Sequence, residues 1–153
     1  MATWSTFEAA APELATAGQR LLYQFGPGLG YLATIRPDGG PRLHPICPIV
    51  TEGELWAFIL RRSPKCRDLE RDGRFALHTF PSAEKDDEFA LTGRVERVDD
   101  DAARARAIEA TTAQVGEEEE VLYRFDIHTA LLAVYEARGV FPPAYAKWSD
   151  PDA

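Results

Sequence analysis

From Gly30 onward the chain alternates: Tyr31, Ala33 and Ile35 fall on one side of an extended backbone, and Leu32, Thr34 and Arg36 on the other. That period of two predicts a strand. Pro37-Asp38-Gly39-Gly40 supplies a turn and the chain resumes as an extended segment from Pro41 to Thr51, which together make a hairpin. After the turn signal Glu52-Gly53, Leu55 to Leu60 are apolar on both faces, so a central strand covered on both sides is expected, the third of a meander. Pro45 and Pro48 cannot donate ladder hydrogen bonds. The second strand is therefore expected at an edge or interrupted there, with neighbouring amides and carbonyls free for another partner. Arg74 to Phe80, Phe89 to Val95, Tyr123 to Ile127 and Ala130 to Tyr135 repeat the strand pattern.

Helix signals appear in four places. Ser5-Thr6-Phe7-Glu8 matches a capping box and predicts a helix start. Pro12 suits the first turn of a second helix, with Leu14, Leu21, Leu22 and Phe25 on one face, ended by Gly26-Pro27-Gly28. Ser63 as N-cap, Pro64 at the first position and Gly73 past the end frame a short helix, and Asp99 to Asp101 cap an Ala/Arg-rich one reaching about Ala110. No repeat or dividing linker is visible. A single domain over 1–153 is expected, with a helical segment at 1–29 and a tail at 138–153.

With 153 residues, 45% of them hydrophobic, and 8 Phe, 5 Tyr and 3 Trp, the chain has the apolar content for one packed core, which excludes disorder over most of its length. No run approaches the ~18 apolar residues of a membrane span, and a cytoplasmic protein is expected. Cys47 and Cys66 show no CxxC pairing and read as ordinary thiols, and three scattered histidines lack metal-ligand spacing, so no metal site is expected. The formal net charge of −8 argues against nucleic acid as a partner. Only 3 of the 17 basic residues are lysine, which draws attention to Lys65. It stands two residues past a helix N-cap, where unpaired amides, the helix dipole, a hydroxyl and an ammonium together make an anion site. Taken alone, Ser63-Pro64-Lys65 reads more readily as a capped helix with a solvated lysine.

The stretch ATIRPDGGPRLHPICPIV, a turn, and ELWAFILRRSPKCRDLERDGRFAL resembles the FMN-binding split barrels of the pyridoxamine 5′-phosphate oxidase-like superfamily, over about Gly30 to Val98. The specific parts are the x-DG-x-P turn and the spaced set Ser63, Lys65, Leu69, Asp72 and Arg74. The resemblance implies a mainly β fold, a six-stranded antiparallel Greek-key split barrel with flanking helices. It also implies a homodimer with FMN at the subunit interface. Ser63 and Lys65 would grip the cofactor phosphate, joined by one of Arg61 and Arg62; strand alternation lets only one face inward, and Arg62 is assigned. His44, Pro45, Ile46 and Cys47 would lie beside the flavin ring, with Phe58 and Ile59 below it. His44 reads equally as a surface strand residue, while His78 and His128 read as packing or surface histidines.

Two departures bear on activity. Pro64 and Glu88 stand where the oxidase carries a basic and an amide residue, and the tail PPAYAKWSDPDA lacks the oxidase's Arg-containing substrate signature, so pyridoxamine phosphate oxidation is disfavoured. Tyr145 and Trp148 could cover the pocket from the partner subunit or anchor the last strand; Trp148 is counted with the cofactor residues. The expected function is an FMN-dependent oxidoreductase passing hydride to or from a small molecule, with no acid or base evident among the side chains. Two alternatives stand beside it: a reductase using the deazaflavin coenzyme F-420 on the same fold, and a non-catalytic flavin or haem carrier.

Overall fold

The computed structural model describes residues 2–116 and 119–153, so Glu117 and Glu118 of the acidic turn lie outside the described residues. Eight strands form one antiparallel sheet: β1 (Gly30–Ile35), β2 (Pro41–Ile46), β3 (Ile49–Thr51), β4 (Glu54–Leu60), β5 (Arg74–Thr79), β6 (Glu88–Val98), β7 (Glu120–Val134) and β8 (Ala144–Ser149). Seven run in the order β2-β1-β5-β6-β7-β4-β3, and β8 pairs with β7. The strands at the two ends of this order, β2 and β3, are separated in the chain only by Cys47 and Pro48. Three Cα–Cα steps reach about 11 Å, little more than two inter-strand spacings, so the sheet must curl until its edges nearly meet. This is a split barrel.

The meander expected for the first three strands does not form. β2 pairs only with β1, while β3 and β4 pair with each other across the seam, because the chain leaves the ladder at Cys47-Pro48. The two apolar segments expected after residue 120 are one strand. β7 pairs with β6 along its length, and on its other side with β4, then Ala2, then β8. A bulge between Thr92 and Gly93 leaves His128 unpaired in register and absorbs the curl. There the strands press together: a Cβ on Gly93 would stand 1.9 Å from the Asp126 carbonyl oxygen. The expected tail supplies β8, whose Trp148 ring packs on Phe7 at 5.1 Å between centroids.

The prolines of β2 sit where they do least harm. Arg36 N–H donates to Gly40 O at the turn, and alternation from there directs Arg42, His44 and Ile46 into the ladder with β1. Pro41, Leu43 and Pro45 therefore turn their backbone groups to the open edge. As expected, β2 lies at an edge, and the extended segment breaks at Cys47-Pro48; at Pro45 itself the spare group is a carbonyl, and the amide is missing. The turn is closed by Asp38 Oδ1 accepting from Gly40 N–H, with Gly39 at φ +83°.

Four helices flank the sheet: α1 (Trp4–Ala10), α2 (Pro12–Leu22), α3 (Pro64–Arg71) and α4 (Asp101–Ala110). The Ser5 capping box is replaced by Thr3, whose hydroxyl accepts from Thr6 N–H, so the cap lies before Ser5 and the helix starts earlier than the sequence pattern suggests. α1 and α2 place Trp4, Phe7, Leu14, Leu21 and Leu22 against Leu32, Leu77, Phe89 and Phe125 inside the barrel, while Phe25 lies beyond the helix and is exposed. α4 covers a second cluster on the outer face, Ile49, Trp56 and Leu122. Among the described residues no helix is long and apolar enough to cross a membrane.

Candidate functional site

α3 forms where the sequence places it. Ser63 Oγ accepts from Cys66 N–H at 3.2 Å and Pro64 occupies the first turn. The same hydroxyl donates to Leu60 O at 2.7 Å, so its proton is committed to the cap. The helix is held to the β1–β2 hairpin by a carboxylate that sequence reasoning missed. Asp68 is 1% exposed, and its Oδ2 accepts from Thr34 Oγ1 at 2.9 Å and from Arg42 Nε at 2.6 Å. Its Oδ1 accepts from Arg71 Nη2, which also reaches Ile35 O. Three elements are thereby locked one helical turn from Lys65. An isolated Asp in an Arg-rich helix carries no sequence signal for this role.

At the seam between β2 and β3 a cleft of about 190 Å³ opens, lined by Pro45, Ile46, Cys47, Phe58 and Lys65 together with Leu60, Gln114 and Glu120. Lys65 is half-buried. It makes no hydrogen bond or ion pair with the described residues, although the chain carries 25 acidic residues against 17 basic ones. Burial pulls its ammonium below the usual lysine value, against the upward pull of Cys47 and Glu120. Burial raises the Cys47 thiol, which Lys65 lowers and Glu120 raises again. A half-buried cation with no ion pair among the described residues, beside a helix start, is the arrangement of an anion site.

Arg62 and Ser63 line a neighbouring hollow of about 500 Å³ together with Leu60, Arg61 and Glu119. Both arginines are exposed and lie in the turn after β4 ends, so strand alternation does not choose between them, contrary to expectation. His44 does not line the cleft. Its Nε2 is buried without a partner, and burial, then Lys65 and Arg42, lower its pKa against Asp68. Ile59 does not join the others: alternation along β4 turns it into the barrel core at 0% exposure, while Phe58 and Leu60 face the cleft. Trp148 stands apart on β8 against Phe7. Sequence reasoning missed the far wall, Thr111, Ala113, Gln114 and Val115, because a loop without periodicity gives no sign of which wall it forms.

Comparison with known proteins bears on the same region. A family model described as pyridoxamine 5′-phosphate oxidase matches residues 20–138. Among solved structures, a haem-binding protein from Mycobacterium smegmatis is similar at a TM-score of 0.66 and 20% identity, over 87% of this chain and 57% of that one. The chain thus spans little more than half of that protein. General Stress Protein 26 from Bacillus anthracis has a TM-score of 0.62 and 16% identity, over 90% of this chain and 97% of that one. A protein related to general stress protein 26, of the pyridoxinephosphate oxidase family, from Clostridium acetobutylicum has a TM-score of 0.61 and 13% identity, over 97% of each chain. No curated protein matches the chain in sequence. At these identities the structures bear on the fold. The family model spans the whole stretch from α2 to the end of β7, including every strand of the seam and the helix that carries Lys65, and the chain belongs to the pyridoxamine 5′-phosphate oxidase family.

Proposed function

We propose that the chain is a flavin-dependent oxidoreductase that holds FMN in the seam cleft at a homodimer interface. The observation that carries this reading is Lys65, a half-buried ammonium with no partner among the described residues, at the head of α3 and on the wall of an apolar cleft. The phosphate is assigned to Lys65, with Arg62 and Arg61 on its outer side. Pro64 has no N–H, and Ser63 takes that of Cys66, so Lys65 supplies the charge that the capped helix start does not. The ring lies along Pro45, Ile46 and Cys47 and against Phe58. Bound there, FMN supplies the hydride chemistry, and the chain orients it and excludes water. The absorbance spectrum and mass of the small molecule that co-purifies test this. A flavin spectrum supports it, whereas a Soret band or a deazaflavin mass replaces FMN with haem or coenzyme F-420.

The second subunit follows from a bare sheet face. Opposite the core, Pro45, Tyr31 and His78 form one row across β2, β1 and β5, and Leu43, Ala33 and Ala76 the next. Leu43 is 65% exposed and Ala76 is also exposed, and the face runs into the cleft at Pro45. A flat apolar face continuous with an open cleft suits a second copy that closes the cleft's outer side. Sedimentation should give about 34 kDa, twice the 17.0 kDa chain, and Leu43→Glu should give folded monomer. A wild-type monomer at micromolar concentration with cofactor bound contradicts the interface.

A further inference from the structure

The cleft's far wall is Thr111, Ala113, Gln114 and Val115, after the end of α4, and described residues on either side of Gln114 are tied down. Thr111 Oγ1 accepts from Ala113 N–H at 3.1 Å, Glu120 Oε2 accepts from Gly116 N–H at 3.0 Å, and Arg61 N–H donates to Glu119 O at 2.7 Å. Gln114 lies in the middle of this strap, lines the cleft, and makes no hydrogen bond with the described residues. Opposite it, the edge of β2 reaches the cleft through Pro45, which has no N–H to offer, Ile46, whose backbone faces the ladder with β1, and Cys47 beyond the strand's end. A flavin's pyrimidine edge is C=O, N3–H, C=O, and needs donors as well as an acceptor. The charged side chains of the cleft are Lys65, a donor only, and Glu120, an acceptor only when ionised. Gln114 is the planar side chain there that presents a donor and an acceptor together.

Resting on the flavin reading above, we infer that Gln114 reads the pyrimidine edge of the ring, its Oε1 accepting from N3–H and its Nε2 donating to the adjacent ring carbonyl. The residue thereby sets specificity for flavin or deazaflavin, which share that edge, over haem, which lacks it. Because the side chain is exposed and makes no structural bond, replacing it should leave the fold and melting temperature unchanged. The test is titration of the full chain with riboflavin and with N3-methylriboflavin, neither of which carries a phosphate. Wild type should prefer riboflavin about tenfold, the worth of one to two neutral hydrogen bonds, and Gln114→Leu should bind the two about equally. Haem, titrated in parallel, should show no difference between wild type and variant. If wild type binds riboflavin and the variant keeps the same preference over the N3-methyl analogue, the assignment of Gln114 is wrong while the flavin reading stands. If wild type binds neither flavin, both fall together.

Discussion

Asp68→Ala is expected to lower stability by about 3 kcal/mol and the melting temperature by roughly 6–12 °C. The carboxylate is buried and accepts from Thr34, Arg42 and Arg71, so its loss leaves donors on three elements without their acceptor. Breaking a buried ion pair by removing one partner costs about 3–5 kcal/mol. The lower end applies because Arg42 and Arg71 are 27% and 40% exposed and can regain water. Burial pushes the Asp68 carboxyl upward, but the bonds from Arg42, Thr34 and Arg71 outweigh it and hold the group below its ordinary 3.8. A carboxyl lowered on folding stabilises the folded state above its unfolded value and loses that contribution as pH falls through the folded one. The gap between wild type and variant should therefore be constant near neutrality and narrow below about pH 4. Urea unfolding of both chains at pH 7 and pH 3.5 checks it. A gap of under about 1 kcal/mol at pH 7 would mean that α3 is held by packing alone.

Where a residue acts through its own backbone or its immediate neighbours, the sequence was readable. Ser63-Pro64 marked the start of α3, Pro37 to Gly40 the hairpin turn, and the two-faced apolar run at 55–60 a covered strand, as β4 is with the barrel core on one face and the cluster under α4 on the other. Prolines 45 and 48 were read as marks of an edge or a break, and β2 is an edge strand that ends at Ile46, but which backbone groups each leaves at the edge was not legible. Pro45 removes a donor from the open edge instead of freeing one, a distinction that depends on register with β1, and register is a long-range property. The same limit explains β7. Thr129 and His128 suggested a break, yet the bulge opposite Thr92 and Gly93 lets one strand pass through and serve three neighbours in turn. β8 escaped notice because its positions are almost all exposed, so it has no apolar face for alternation to reveal. Pro45, Ile46, Cys47, Phe58 and Lys65, named from the resemblance, come together on one cleft because β2, β4 and α3 form where the local patterns place them. The strap at Gln114 and the anchor at Asp68 depend on contacts between distant segments, for which one sequence carries no signal.

Lys65→Ala is expected to weaken FMN binding by about 1.5–3 kcal/mol, roughly 10- to 150-fold in affinity, the worth of a charge-assisted hydrogen bond. Riboflavin should bind wild type and variant equally, since it lacks the phosphate that the ammonium receives. The apo protein should not lose stability. Lys65 makes no hydrogen bond or ion pair with the described residues, and burial already disfavours its charged form, so its removal relieves a desolvated cation and breaks no folded contact. These three readouts separate the possible roles. A solvated lysine would leave FMN affinity unchanged, and a lysine that held α3 in place would lower the apo melting temperature and riboflavin affinity together. A lysine facing the ring instead of the phosphate would cost FMN and riboflavin alike. Only an ammonium on the phosphate gives a loss confined to FMN, and the measurement therefore fixes which end of the ligand lies at the head of α3.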